Sequence, residues 1–261
     1  MATRALCHGR CVTLLRGPDV PTFAVCSVPI AALDCGEAAA HIVADALTHT
    51  PCQVHLCNAY TLSLVDQDER MRAALLDAQL NLADGTPVAW MGRRSGMTGP
   101  VRGADLVGKV ARLGSGSLSH YLYGGKPGIA EQMAARLAEV VPGISVVGTE
   151  APPFTEITPE HVAALAGRIQ ASGASIVWIG LGTPRQDYLV HQLSAHLSMP
   201  VVPVGAAFDF WAGSVREASP VLHGSGLEWA YRLATEPRRL WRRYLEGNPR
   251  FVRSAWRHRG A

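Results

Sequence analysis

Residues 80–90 read LNLADGTPVAW and put one carboxylate, Asp84, directly before a glycine. Asp-Gly is among the commonest turn dipeptides, so one reading of the pair is an ordinary turn. The other is an acid held at the mouth of a sheet, where a carboxylate can take the proton of an attacking hydroxyl. Two glycine-rich stretches, YGGKPG (123–128) and GLGTPRQ (180–186), offer a complementary chemistry. Between a strand and a helix, glycine lets backbone amides approach a phosphate, and the helix start adds a favourable dipole. Glycine also simply turns a chain, so each stretch alone is a weak signal. Neither matches GxGxxG or the GxxxxGK[ST] loop, which argues against a nicotinamide enzyme and against an NTPase.

Other chemistries find little support. The ten histidines show no HExxH or other metal spacing, and His191 reads as a surface or packing residue. Cys7, Cys11, Cys26, Cys35, Cys52 and Cys57 form no CxxC pair, so a zinc site is not expected and the thiols are expected to be reduced. LGSGS and HGSGL lack the strand–turn–helix setting of a serine nucleophile.

The elements that must position these residues alternate strand and helix. TFAVCSV (22–28), QVHLC (53–57), LNLAD (80–84), LSHYLYGG (118–125), ISVVG (144–148), SIVWIGLG (175–182) and VVPVG (201–205) read as strands. Between them lie the helical patterns GEAAAHIVADAL, SLVDQDERMRAALLDA, TPVAWMGRR, PGIAEQMAARLAEV, EHVAALAGRIQ and PRQDYLVHQLSAHL. Near-continuous apolar strands alternating with helices imply an α/β fold: a Rossmann-like, mostly parallel sheet covered on both faces. In such sheets ligands bind outside the carboxyl ends of the strands. Asn58, Asp84, Gly124, Gly125, Gly180, Gly182, Gln186 and Asp209 all fall at or just past strand ends. That shared edge suits a sugar nucleotide or dinucleotide, and it moves Asp84 from a bland turn toward a functional acid.

After Gly213 the pattern changes. LEWAYRLATE, PRRLWRRYLEG and PRFVRSAWRHR predict three short helices with no strand between them. The chain therefore divides into a body at 20–213 and a basic helical appendage at 214–261. From Glu228 onward, Arg232, Arg238, Arg239, Arg242, Arg243, Arg250, Arg253, Arg257 and Arg259 face only Glu228, Glu236 and Glu246, although the whole chain carries a formal charge of only +3. Such asymmetry points to an anionic partner: a membrane surface, a pyrophosphate or a nucleic acid. The first residues lack the apolar run of a signal peptide, and no 18-residue apolar stretch predicts a membrane span.

ADGTPVAW, VRGADL, YLYGGKPG, IGLGTPRQD, GAAFDFWAG and GLEWAYRLATEPRRLWRRYL occur in an order that resembles the WecG/TagA/CpsF family of bacterial glycosyltransferases, over roughly residues 22–250. The resemblance implies inverting transfer of a sugar, N-acetylmannosamine or a related hexose or uronic acid, from a UDP-sugar to a polyprenyl-diphosphate-linked acceptor. It implies a role in cell-surface polysaccharide synthesis and a peripheral position on the cytoplasmic face of the membrane. By the same resemblance Asp84 is the general base. Asn58, Arg102, Gln186 and Asp209 belong to the donor pocket, with the glycine turns at Gly124, Gly125, Gly180 and Gly182. Arg232, Arg239 and Arg242 face the acceptor diphosphate, and the appendage approaches an anionic membrane. Leu56 stands where some relatives carry threonine, and Arg216–Pro220 match a family loop loosely. Neither a metal nor nucleic acid is expected on this reading, and an oligomer is compatible with it. A nucleotide-binding regulator or a nucleic-acid-binding protein using the basic tail is the alternative that composition leaves open.

Overall fold

The computed structural model describes residues 3–7, 10–14, 20–152, 157–215, 230, 231, 233 and 237–258, with side chains from residue 20 onward except at 237–240 and 242. The described residues form the strands β1 (Thr3–Cys7), β2 (Arg10–Leu14), β3 (Thr22–Val25), β4 (Val28–Ala31), β5 (Cys52–Cys57), β6 (Leu80–Ala83), β7 (Ser119–Gly124), β8 (Ser145–Glu150), β9 (Ile176–Gly180) and β10 (Pro200–Pro203). The helices are α1 (Cys35–Leu47), α2 (Ala59–Ser63), α3 (Glu69–Leu76), α4 (Thr86–Met91), α5 (Gly103–Leu113), α6 (Ile129–Val140), α7 (Pro159–Ala171), α8 (Arg185–Ser194), α9 (Ala207–Trp211) and α10 (Pro237–Arg257).

Eight strands form one sheet in the order β3-β4-β6-β5-β10-β9-β7-β8. Only β3 runs antiparallel to its neighbour; every other adjacent pair is parallel. The sheet is the α/β arrangement that the alternating pattern implies. Every residue of the central strands β5, β6 and β10 is buried, as a sheet covered on both faces requires. Strand periodicity divides the core. Ile176 and Trp178 join Val54, Leu56, Leu80 and Leu82 under α1, α5 and α6, while Val177 and Ile179 point the other way into α7 and α8. A third cluster gathers β3, β4, α2, α3 and α4 around Phe251 of α10.

Three local expectations change. TFAVCSV is not one strand but the first half of a hairpin, because Cys26 (φ 52°) and Ser27 (φ 63°) take the left-handed conformation of a tight turn. The helix expected after Asn58 is two helices, with Asp68 capping the second by accepting from the amides of Arg70 and Met71. PRRLWRRYLEG and PRFVRSAWRHR form the single helix α10 with Pro249 inside it. Its inner side packs on the body: Phe251 is buried, and a Cβ at Gly247 would stand 2.9 Å from Tyr60 Cδ2. That anchoring holds the helix straight through a residue that would otherwise end it. The first expected appendage helix and the loop Arg216–Pro220 lie mostly outside the described residues, and β1–β2 form an antiparallel pair that the pattern did not announce.

Candidate active site

Asp84 follows β6 by one residue. Its amide donates to the Cys57 carbonyl (3.0 Å), which carries the β5–β6 ladder one step past the strand. Gly85 then turns the chain at φ 83°, ψ 150°, a conformation that only glycine adopts without strain, and α4 begins at Thr86 with proline in its first turn. The turn and the acid are therefore one device: the glycine bends the backbone away and leaves the carboxylate at the sheet edge.

On the neighbouring strand, Asn58 ends β5 and caps α2. Its Oδ1 accepts from the amides of Tyr60 and Thr61, both at 3.1 Å. Those amides fix which end of the side chain is oxygen, so Nδ2 faces Asp84 and donates to Oδ2 at 3.2 Å. Arg243 of α10 approaches the same group. Its Nη2 donates to Asn58 Oδ1 (3.3 Å), and its guanidinium lies 4.5 Å from the centre of the Tyr60 ring.

These three side chains line one open cleft with Leu56, Arg102, Gly103, Gly182, Thr183, Gln186, Phe210 and the segment 203–207. Arg102, at the start of α5, is buried, and its Nη1 donates to Asp105 Oδ2 (3.2 Å). Gly103 lets α5 begin against β10, since a Cβ there would stand 2.9 Å from the Val204 carbonyl. Gln186, in the first turn of α8, turns its Oε1 back to accept the Gly182 amide at 2.9 Å. Leu56 gives this wall an apolar surface where a threonine would give a hydroxyl.

Of the residues singled out from the sequence, Asn58, Asp84, Arg102, Gly182 and Gln186 converge on the cleft. Gly124, Gly125, Gly180 and Asp209 do not line it. A Cβ at Gly124 would stand 2.5 Å from Gly180 Cα, and one at Gly180 would collide with Phe208, so these glycines serve close packing behind the site. Asp209 receives the Ser214 hydroxyl (3.2 Å) on α9. Arg232 and the side chains of Arg239 and Arg242 lie outside the described residues. Arg243 is the cation that sequence reasoning passed over. A signal for it exists: Arg243, Gly247 and Phe251 are spaced four apart and form the inner stripe of α10. Beyond them, Asp66 accepts from Arg257 Nη1 and His258 Nε2, each at 3.1 Å. Burial pushes the Asp66 carboxyl up, but the hydrogen bond from His258 and the charges of His258 and Arg257 outweigh it and hold it below its usual value.

An acid at a parallel-sheet edge, an oriented asparagine and arginines share one cleft, and the comparison with known families decides the class. A family model described as Glycosyl transferase WecG/TagA/CpsF family matches residues 23–261, nearly the whole chain. The chain belongs to the WecG/TagA/CpsF family. It is thus a glycosyltransferase, of a family that acts in cell-surface polysaccharide synthesis, with a sugar donor and a lipid-linked acceptor as its general class of partners. Among the described residues no helix is long and apolar enough to cross a membrane.

Proposed function

We propose that this WecG/TagA/CpsF glycosyltransferase moves N-acetylmannosamine, or a related hexose or uronic acid, from a UDP-sugar to a polyprenyl-diphosphate-linked acceptor with inversion. The observation that carries the reading is the cleft itself, where Asp84 is held by Asn58 within reach of a cation supplied by the far end of the chain. Asp84 acts as general base. The acceptor hydroxyl gives it a proton while its oxygen attacks the anomeric carbon from the face opposite UDP. The sugar–phosphate bond breaks, and UDP leaves with the bonding electrons. Arg102 and the Gly182 end of the cleft meet the charge that develops on the leaving diphosphate, a role open to fixed donors without a metal. Arg243, together with Arg232, Arg239 and Arg242, faces the acceptor diphosphate.

The body, 20–213, then binds the donor, and the appendage, 214–261, brings the acceptor and the membrane. Trp241, Leu245, Val252 and Trp256 fall on one stripe of α10, opposite the Arg243–Gly247–Phe251 stripe. Leu245 is 67% exposed and Trp256 74% exposed. The exposed Arg253 lies beside that stripe, a combination suited to anionic headgroups on the cytoplasmic face of a membrane.

The decisive experiment is a panel of UDP-sugars with a short-chain polyprenyl diphosphate saccharide as acceptor. Transfer with one donor, lost at least a hundredfold in Asp84→Ala while UDP still binds, is the expected result. Salt-dependent nucleic-acid binding with no transfer to any acceptor would replace this reading by that of a nucleic-acid-binding protein.

A further inference from the structure

The face of β5 and β6 turned toward α3 and α8 carries a polar seam where an apolar one would be expected. Gln53, His55 and Asn81 project from it, all buried, and Asp187 reaches them from the first turn of α8 with no exposure at all. Burying a carboxylate costs several kcal/mol or more unless it is well partnered, so the seam calls for a reason.

The hydrogen bonds fix every proton in it. Gln53 Nε2 donates to the Ala74 carbonyl, which can only accept, and so the amide cannot be reversed. Its second N–H points at His55 Nε2 (2.9 Å), which therefore accepts. The ring proton sits on Nδ1 and is donated to Asp187 Oδ1 at 2.9 Å, across 132 residues of sequence. Asp187 Oδ2 has no partner. Among the described residues, His55 is thus the side chain that holds this carboxylate.

What Asp187 secures lies one residue away. Helix α8 starts without a side-chain cap, directly after the left-handed Gly182 and the Thr183-Pro184 pair. Gly182, Thr183 and Gln186 form one wall of the cleft, and Gln186 closes the loop by accepting the Gly182 amide. In the first turn of α8, Gln186 is anchored to its own loop and Asp187 to the sheet. The second contact ties the turn to β5, the strand that leads into Asn58.

We propose that His55 is a positioning residue of the donor site: through Asp187 it sets the first turn of α8, and so places the Gly182 turn and the side-chain NH2 of Gln186 against the diphosphate of the bound nucleotide. The proposal rests on the cleft being the donor site, and its test separates the two. His55→Asn keeps an N–H near the place of Nδ1 and should retain the tether, whereas His55→Leu removes it. Because the latter strands a buried carboxylate, the double variant His55→Leu/Asp187→Leu supplies a packed apolar pair as the second probe.

Hydrogen exchange across 182–187 needs no ligand. It should accelerate at least tenfold in the double variant and match the wild type in His55→Asn. UDP titrated into the full chain should bind at least tenfold more weakly to the double variant, with donor KM raised by the same factor and kcat within threefold. His55→Asn should stay within threefold throughout. Unchanged exchange in a folded double variant, or equal losses in His55→Asn and the double variant, would overturn the proposal. Altered exchange in a chain whose wild type binds no UDP would sustain the tether and sink the donor-site reading instead.

Discussion

Asn58 Nδ2 meets Asp84 Oδ2 at 3.2 Å across the ends of two paired parallel strands, so the asparagine and the acid are one hydrogen-bonded unit. Replacing Asn58 by Asp keeps a helix cap for α2 but sets a second carboxylate beside the first. Two carboxylates sharing a site cannot both ionise easily, so one of them titrates at higher pH. The acid limb of the kcat profile in Asn58→Asp should move up by at least one pH unit, with most activity regained above it. Asn58→Ala should lower kcat about ten- to a hundredfold at every pH, without the displacement. Profiles of the two variants on the same donor and acceptor decide it; coincident profiles would count against Asp84 as the ionising base.

Arg243 reaches the cleft only because α10 lies close to α2, and Gly247 permits that approach. Gly247→Val should push the helix off Tyr60 and lower transfer as far as Arg243→Ala does, though it removes no charge. A charged hydrogen bond to a diphosphate contributes about 1.5–3 kcal/mol, so each variant should lose roughly ten- to a hundredfold in acceptor kcat/KM. Arg243→Lys should recover only part of it, since an ammonium cannot reproduce the stacked, forked geometry. Full activity in Gly247→Val would show that docking of α10 does not place the cation.

How much of this could be read in the sequence depends on where the deciding contacts lie. Asp84, Asn58 and Gln186 follow strands whose apolar runs are unmistakable, and a parallel sheet brings strand ends together by construction. The hairpin at Cys26-Ser27 escaped notice because neither residue is a glycine, asparagine or aspartate, the types that favour positive φ; the left-handed pair accompanies the pairing of β3 with β4. Gly124 and Gly180 looked like phosphate-loop glycines because close strand packing and close phosphate approach select the same residue. Arg243 was hidden among neighbouring arginines, since its spacing with Gly247 and Phe251 marks an inner stripe only when the two expected short helices are one continuous α10.

The outer stripe of α10 yields a prediction about membranes. Leu245→Glu combined with Trp256→Glu should weaken binding to vesicles rich in anionic lipid by at least tenfold, and the remaining binding of the wild type should fall as salt rises. Transfer to a water-soluble short-chain acceptor should change less than threefold, because neither side chain lines the cleft. Co-sedimentation at two salt concentrations beside a soluble-acceptor assay checks both halves. Unchanged vesicle binding would move the membrane contact elsewhere on the chain.

Stability should carry the signature of one buried histidine. His120 is 1% exposed, its ring parallel to that of Trp178, whose indole N–H it accepts at Nδ1 (3.0 Å). Burial pushes its pKa down from 6.5 to about 4, so the native state holds the ring neutral where the unfolded chain would protonate it. Between those values the unfolded state binds more protons, and stability falls as pH drops from about 6.5 to 4. At about 1.4 kcal/mol per pH unit, the loss from this ring reaches at most about 3 kcal/mol below pH 4. His120→Gln keeps an acceptor for Trp178 and removes the titration, so it should flatten that part of the curve. Denaturant midpoints of both proteins at pH 7.5, 6, 5 and 4.5 make the comparison. Parallel curves would place the acid sensitivity on other groups.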